Sequence, residues 1–238
     1  MGLKIAVLHK HGATQFIRET LINKKPLRLA FVNANLANMA QADNILRERL
    51  QSFLLLNDGS GMAIASKLAY RESFPDNLNG TDFIPFFLNN CDMQLNVFLL
   101  GADPKVSTMA VEAFKREWPK HQVVGAQHGY FDKSQNKEVM AKIKNLNPDL
   151  VLVAMGNGLQ ELWVSNLVPD SAISAWGVGA FFDFLCSRVP RAPVWMRKLG
   201  LEWVYRLYLE PKRMWRRYII GNFKFIFYVL NQIAHKKH

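Results

Sequence analysis

Short apolar runs alternate along the chain with segments of helical periodicity. The runs with strand character are LRLAFVNA (27–34), SFLLLND (52–58), LNVFLLG (95–101), HQVVGAQ (121–127), DLVLVAMG (149–156) and AISAWGVG (172–179). Helical patterns separate them, over 36–50, 61–69, a segment that ends near 118, 137–146 and 160–167. Buried runs of this length separated by helices are typical of parallel sheets covered on both faces. We therefore predict an α/β protein with a Rossmann-like, mostly parallel sheet flanked by helices.

Polar residues and glycines follow the predicted strands. In such a sheet, ligands bind beyond the carboxyl ends of the strands. The stretches that this rule selects are Asn33 and Asn35, Asp58 and Gly59, Gly101, the loop from His128 to Tyr130, and the segment from Gly156 to Glu161. We expect them to line one edge of the sheet.

Positive charge is concentrated near the C-terminus. The formal net charge is +11, and residues 188–238 hold 12 Lys or Arg against 2 Asp or Glu. After Pro190 and Pro193 the pattern becomes helical, basic and aromatic. We therefore predict a body over 1–187 and an appendage over 188–238 whose partner is anionic: a membrane surface, phosphate groups or nucleic acid.

Asp58 and the loop from Gly156 to Glu161 each have two interpretations. Asp58 either caps the next helix or acts as a general base held at the ligand edge. The glycine loop is neither a dinucleotide fingerprint nor a Walker loop, but a diphosphate would suit the N-terminus of the helix that follows. Gln160 and Glu161 either cap that helix or orient a sugar hydroxyl.

No metal site is predicted from the spacing of the potential ligands. His128 follows a strand alone, and a lone loop histidine is usually a structural hydrogen-bonding group. Cys91 and Cys186 fit neither a disulfide framework nor a metal-binding pattern. There is also no Asp-x-Asp pair of the kind that holds a divalent metal on a nucleotide-sugar.

The last helical segment carries apolar residues at steps of three and four. They are Trp215, Tyr218, Ile219, Phe223, Ile226 and Leu230, with Arg213, Arg217 and Lys224 largely off that face. The face either packs on the body or lies on a membrane surface with its cations at the lipid phosphates. RNA binding also combines cations with aromatics, although aromatics mixed with aliphatics suit it less well. Residues 219–234 are too short and too polar to cross a bilayer.

The sequence resembles the WecG/TagA/CpsF glycosyltransferases from about Leu27 to Phe227. The stretches that carry the resemblance are NDGSGM, LLGADPKV, VVGAQHGYF, NPDLVLVAMGNGLQELW, WGVGAFFDF and RAPVWMRKLGLEWVYRLYLEPKRMWRRY. The last is long and of unusual composition, and the shared order of so many segments makes coincidence a poor explanation.

The resemblance implies a bacterial enzyme at the cytoplasmic face of the inner membrane. Such an enzyme moves a sugar from a UDP-sugar to a polyprenyl-diphosphate-linked saccharide, with inversion, in surface polysaccharide synthesis. Its C-terminal appendage contacts both the membrane and the active site. The resemblance also implies that Asp58 is the base, while Asn33 stands where the family pattern has threonine, Leu159 where it has proline and Ser187 where it has glycine.

A diphosphate leaving group without a metal requires other positive charge. We expect metal independence, with Arg213, Arg216 and Arg217 as the first candidates to stabilise the diphosphate and Arg191 and Arg206 as the next. The neutral body favours a hexose or an N-acetylhexosamine as the transferred sugar. A non-catalytic membrane scaffold and an RNA-binding protein are the alternatives, and the sequence leaves open whether the chain forms a homo-oligomer.

Overall fold

A computed structural model describes residues 2–167 and 172–235, and the body predicted over 1–187 and the appendage predicted over 188–238 each extend slightly outside them. The strands are β1 (Leu27–Val32), β2 (Leu54–Asn57), β3 (Asn96–Gly101), β4 (Gln122–Gln127), β5 (Leu150–Ala154) and β6 (Ser174–Gly177). They form one sheet in the order β2-β1-β6-β5-β3-β4, and every pair is parallel. The predicted α/β class is therefore confirmed.

Helices flank the sheet and continue beyond it. They are α1 (Lys10–Ile22), α2 (Ala34–Ala42), α3 (Asn44–Leu50), α4 (Ser60–Tyr70), α5 (Gly80–Asn90), α6 (Pro104–Glu117), α7 (Asn136–Leu146), α8 (Leu159–Leu167), α9 (Phe181–Leu185), α10 (Val194–Lys198), α11 (Glu202–Leu209), α12 (Pro211–Trp215) and α13 (Gly221–His235). A 3₁₀ turn precedes α7, and a π-helical turn over Arg216–Ile220 joins α12 to α13.

The single helix predicted over 36–50 consists of two helices, α2 and α3. Asp43 has an extended backbone between them, and its side chain accepts a hydrogen bond from the Leu46 N–H. An N-cap of this kind starts a new helix. The apolar periodicity of the sequence continues through Asp43, so the periodicity alone does not reveal the break between the two helices. The pattern gave no prediction for α1 or for α5, which contains Pro85.

The core lies on both faces of the sheet. Strands β3 and β5 are almost entirely buried, as expected for central strands covered by helices on both sides. Trp176 of β6 is fully buried, and its ring meets those of Phe83 and Phe87 from α5 at centroid distances of 6.4 and 4.9 Å. This packing fixes β6 beside β1, where the ligand edge of the sheet opens.

The C-terminal helices fold back onto the body. Helix α13 packs against α2 and α4, burying Phe225 and Val229. The Asn38 side-chain amide donates to the Gly221 carbonyl oxygen at 2.7 Å, which fixes the start of α13. The domain boundary near Arg188 stays a prediction.

A second apolar face of the C-terminal helices is exposed. Its members are Trp215, Ile219, Ile220, Phe223, Phe227 and Leu230. Most residues of the face predicted from the three- and four-residue steps therefore point away from the body, whereas Phe225 and Val229 make the core contact. Within the described parts of the chain, no helix is long and apolar enough to span a bilayer.

Candidate active site

Two connected pockets open at the carboxyl edge of the sheet, and Asp58 lies where they meet. The small pocket is covered by the C-terminal helices, and the large pocket extends along the ends of β1, β5 and β6. The residues that line both are Asn33, Asp58, Thr81, Phe184, Arg206 and Arg217. The crevice therefore has two compartments that share one carboxylate and two guanidinium groups.

The backbone holds Asp58 firmly at this junction. Its N–H donates to the Val32 carbonyl oxygen at 2.9 Å, which extends the pairing of β2 with β1 by one residue. Gly59 then adopts φ +88°, a conformation that favours glycine, and α4 begins at Ser60. The Gly59 N–H donates to the Asn77 Oδ1 at 2.9 Å. The turn thereby directs the carboxylate into the crevice.

Asn33 is the direct partner of Asp58. Its Nδ2 donates to Asp58 Oδ2 at 3.1 Å, while its Oδ1 accepts from the Leu36 N–H at 3.1 Å and from Asn157 Nδ2 at 3.0 Å. The amide is thus both the N-cap of α2 and a donor to the carboxylate. Asn35, two residues further on, lines the small pocket.

Opposing effects act on the pKa of Asp58. Burial raises the pKa of the carboxyl above its ordinary value, and this is the largest effect. The hydrogen bond from Asn33 and the positive charges of Arg217 and Arg206 lower it. A carboxylate that is partly desolvated yet stabilised by these groups has the environment of a general base.

In the glycine loop between β5 and α8, the side chains of Gln160 and Glu161 accept hydrogen bonds from backbone N–H groups. Gln160 Oε1 accepts from the N–H groups of Gly156 and Gly179 at 3.2 and 3.0 Å. Glu161 Oε2 accepts from the Gly158 N–H, and burial raises the pKa of Glu161 to about 7. Two of the N–H groups that we expected to face a diphosphate therefore already have protein partners, and the diphosphate site at this helix stays a prediction.

Gly101 and His128 lie beside the large pocket without lining it. Gly101 has φ +127°, and a Cβ there would come within 2.3 Å of the Ala154 carbonyl oxygen, so glycine is needed for close strand packing. The His128 Nδ1 is buried and has no hydrogen-bond partner among the described residues. Its neighbours Gly129 and Tyr130 form part of the pocket wall.

The five arginines expected near a diphosphate separate into two groups. Arg206, Arg213 and Arg217 line the large pocket. Arg216 is exposed, and its guanidinium lies over the Trp215 ring at 5.4 Å from the centroid. Arg191 lines neither pocket and instead pairs with Asp82 and Glu202, at 2.9 and 3.6 Å.

Several lining residues carried no signal in the sequence. In the small pocket they are Asn77, Thr81, Arg197, Glu202, Trp203 and Asn222. They come from the segment before α5, from the first turn of α5 and from the C-terminal helices, so none directly follows a strand and the rule for strand ends cannot select them. The composition of the appendage and the family resemblance of residues 191–218 indicated that Trp203 belongs to a functional region, without selecting it as a site residue.

Within residues 2–167 and 172–235, no group of three or more His, Cys, Asp or Glu side chains is placed to hold a metal ion. Three of the acidic side chains that line the large pocket are instead paired with arginines, Glu210 with Arg213 and the other two with Arg188. Arg188 bridges Asp103 and Asp183 at one end of the large pocket.

Comparison with known proteins identifies the family. The sequence model of the glycosyl transferase WecG/TagA/CpsF family matches residues 1–238. An N-acetylglucosaminyldiphosphoundecaprenol N-acetyl-beta-D-mannosaminyltransferase of Bacillus subtilis (strain 168) is 34% identical over 215 residues, which cover 88% of this chain and 81% of the relative. An enzyme of the same name from Bacillus spizizenii (strain W23) is 34% identical over 167 residues, covering 68% of this chain and 63% of the relative.

The chain belongs to the glycosyl transferase WecG/TagA/CpsF family, and it is therefore a glycosyltransferase. The resemblance drawn from the sequence motifs is confirmed. The crevice at the carboxyl edge of the sheet, with a carboxylate between two compartments, is the candidate site for the transfer.

Proposed function

We propose that this glycosyltransferase moves N-acetylmannosamine, or a closely related neutral N-acetylhexosamine or hexose, from UDP to a polyprenyl-diphosphate-linked N-acetylglucosamine. The names of the two Bacillus relatives, N-acetylglucosaminyldiphosphoundecaprenol N-acetyl-beta-D-mannosaminyltransferases, support this choice of sugar and acceptor. The product would enter bacterial surface polysaccharide synthesis, and the reaction would take place at the cytoplasmic face of the inner membrane.

The observation that carries this proposal is the position of Asp58 between two pockets. A transferase has to hold a donor and an acceptor on either side of the reacting bond. We assign the nucleotide-sugar to the large pocket, because it lies at the carboxyl ends of the central strands. The acceptor saccharide is assigned to the small pocket beneath Trp203, Tyr218 and the amide-bearing side chains of Asn35 and Asn222.

The reaction would proceed by direct displacement with inversion. Asp58 removes the proton from the attacking hydroxyl of the acceptor as its oxygen bonds to the anomeric carbon. The bond between that carbon and the UDP oxygen breaks on the opposite face, and UDP leaves with the bonding electron pair. Proton transfer to a positioned carboxylate contributes about 10²- to 10⁴-fold to such reactions.

Arginines from the C-terminal helices would stabilise the departing diphosphate. Arg206 and Arg217 line both pockets, and Arg213 lines the large one. Arg217 forms no salt bridge in the described part of the chain, so its charge is not neutralised by a paired carboxylate. We propose that these guanidinium groups supply the charge that a divalent metal supplies in other nucleotide-sugar enzymes.

The exposed apolar face of the C-terminal helices would lie on the membrane. Phe223 is 76% exposed and Phe227 is 65% exposed, and they are one helical turn apart on α13. Arg216 and Lys224 are exposed on the same segment, where they can contact anionic lipid headgroups. Such a contact would hold the two pockets near a lipid-linked acceptor.

Release of UDP tests the proposal directly. Purified protein is incubated with a short-chain diphosphate-linked N-acetylglucosamine lipid and a panel of UDP-sugars, with EDTA present. We expect acceptor-dependent release with one donor. Activity that disappears in EDTA and returns with a divalent metal would contradict metal independence. No UDP release with any donor would contradict the proposed reaction.

Two matched pairs of variants test the assigned roles. Asp58→Asn should lower kcat by at least about 100-fold, whereas Asp43→Asn should leave it unchanged because Asn is an equally good N-cap. Arg217→Ala should lower kcat by about 100- to 1,000-fold, whereas Arg216→Ala should have little effect on a water-soluble acceptor. Equal losses of kcat in Arg217→Ala and Arg216→Ala would contradict the assignment of Arg217, and not Arg216, to the diphosphate.

A further inference from the structure

Glu161 is a fully buried carboxylate that the proposed reaction does not use. It is 0% exposed and lines neither pocket. No salt bridge reaches it within residues 2–167 and 172–235. Burying a carboxylate is unfavourable unless its oxygens are well hydrogen-bonded. Capping the first turn of α8 does not explain this burial, because an exposed carboxylate would cap the helix equally well.

The two oxygens of Glu161 accept from two different donors. Oε2 accepts from the Gly158 N–H, and Oε1 accepts from Gln160 Nε2 at 2.8 Å. The second contact determines which way the Gln160 amide faces, because its nitrogen must point to the carboxylate. Its oxygen then points the other way.

The Gln160 oxygen joins two loops that lie far apart in sequence. It accepts from the Gly156 N–H after β5 and from the Gly179 N–H after β6. Both loops line the large pocket. The amide reaches them by passing over Gly177, where a Cβ would lie 2.8 Å from Gln160 Nε2. One side chain therefore sets the separation of the two loops.

We propose that Glu161 is a positioning residue for donor binding: by holding the Gln160 amide in one orientation, it keeps the Gly156 and Gly179 loops at the spacing that the nucleotide-sugar requires. This inference rests on the assignment of the donor to the large pocket. Glu161 itself touches no substrate and acts through Gln160 and Gly158.

Only a glutamate satisfies this geometry. An amide in place of the carboxylate would present an NH₂ group either to the Gly158 N–H or to Gln160 Nε2, and both of these are donors. An aspartate is shorter by one methylene and would not reach both. In either case a buried donor would lose its partner, which is more costly than removing a donor and acceptor together.

Binding of UDP, measured by titration calorimetry without acceptor, is the first readout. Glu161→Gln should weaken UDP binding by about 10-fold or more, and the KM for the UDP-sugar should rise similarly. The KM for the acceptor should stay within about twofold, because the small pocket contains neither loop. Glu138→Gln is the matched control, since Glu138 is the third residue of α7, as Glu161 is of α8, and is exposed.

A double-mutant cycle separates positioning from general stability. If Glu161 acts through Gln160, then Gln160→Ala and Gln160→Ala/Glu161→Gln should bind UDP with affinities within about twofold of each other. Additive losses, or a Glu161→Gln variant that binds UDP as the wild type does, would overturn the inference. If Glu161→Gln does not fold, Gly177→Ala displaces the Gln160 amide directly and should weaken UDP binding in the same way.

The experiment also distinguishes this inference from the proposed function. Normal UDP binding by Glu161→Gln, with transfer by the wild type intact, would overturn only the role of Glu161. Wild-type protein that binds no UDP would overturn the donor assignment and this inference together. Wild-type protein that binds UDP but transfers no sugar would contradict the proposed reaction, while the binding comparison would still decide the role of Glu161.

Discussion

Replacing Phe225 by alanine should release the C-terminal helices from the body. Phe225 is 1% exposed and packs in the core cluster that contains Leu36 and Ala37 of α2 and Met62 of α4. Truncating a fully buried phenylalanine costs about 3–5 kcal/mol, through lost transfer free energy and the cavity that remains. Because α13 otherwise buries few side chains, much of that cost should fall on its docking rather than on the sheet.

The consequence for activity follows from the position of Phe225 eight residues after Arg217. Once α13 undocks, Arg217 and Arg213 leave the crevice with it. A loss of 3–5 kcal/mol corresponds to a rise of about 10²- to 10³-fold or more in the undocked population. We therefore expect kcat to fall even though Asp58, Asn33 and the glycine loops are untouched.

Hydrogen exchange measures the docking directly. Peptides from 211–235 should exchange faster in Phe225→Ala by up to the same factor, whereas peptides from β3 and β5 should change little. Phe223→Ala is the matched control, because it removes the same side chain two residues away from an exposed position. Unchanged exchange in Phe225→Ala, or equal acceleration in both variants, would refute the reasoning.

Three further predictions concern titration and membrane contact. Asn33→Ser keeps a good N-cap for α2 but removes the donor that lowers the pKa of Asp58, so the acid limb of the pH–activity profile should move to higher pH, and Asn35→Ser should leave that limb in place. The pKa of Glu161 rises from 4.5 to about 7 on folding, so its contribution to stability is present below pH 4.5 and is lost as the pH rises to 7. Denaturant titrations should show the unfolding free energy of wild type, relative to Glu161→Gln, falling by up to about 3 kcal/mol over that range, and a constant difference would contradict this. Phe227→Ser should weaken binding to anionic vesicles in flotation assays without lowering the unfolding free energy, and unaltered flotation would remove α13 from the proposed membrane contact.

The sequence alone was sufficient to predict the sheet and the edge at which the candidate site lies. Apolar runs such as 95–101 and 149–156 are continuous because central parallel strands are buried on both faces, and that property is local and readable. The positions of Asn33, Asp58 and Gly156 at strand ends then follow from the chain direction. Composition also indicated a basic, aromatic C-terminal segment.

The same local reasoning did not separate α2 from α3. A helical period of apolar residues continues through Asp43, because both helices bury residues on the same side of the sheet. The break depends on one side-chain hydrogen bond to Leu46, which periodicity does not register. The exposed apolar face of α13 was similarly predicted as one surface, while its core contact at Phe225 fell outside the predicted set.

Tertiary structure decided which charged residues reach the crevice. Arg216 and Arg217 are neighbours of the same chemical type, yet only Arg217 lines the pockets. The π-helical turn at 216–220 and the docking of α13 set that orientation, and neither is encoded in a local pattern. Asn77 and Trp203 line the small pocket because segments distant in sequence fold together there. The ends of strands can be predicted from a sequence because each strand is a continuous apolar run of neighbouring residues. The residues that form a pocket wall depend instead on the packing of the whole chain.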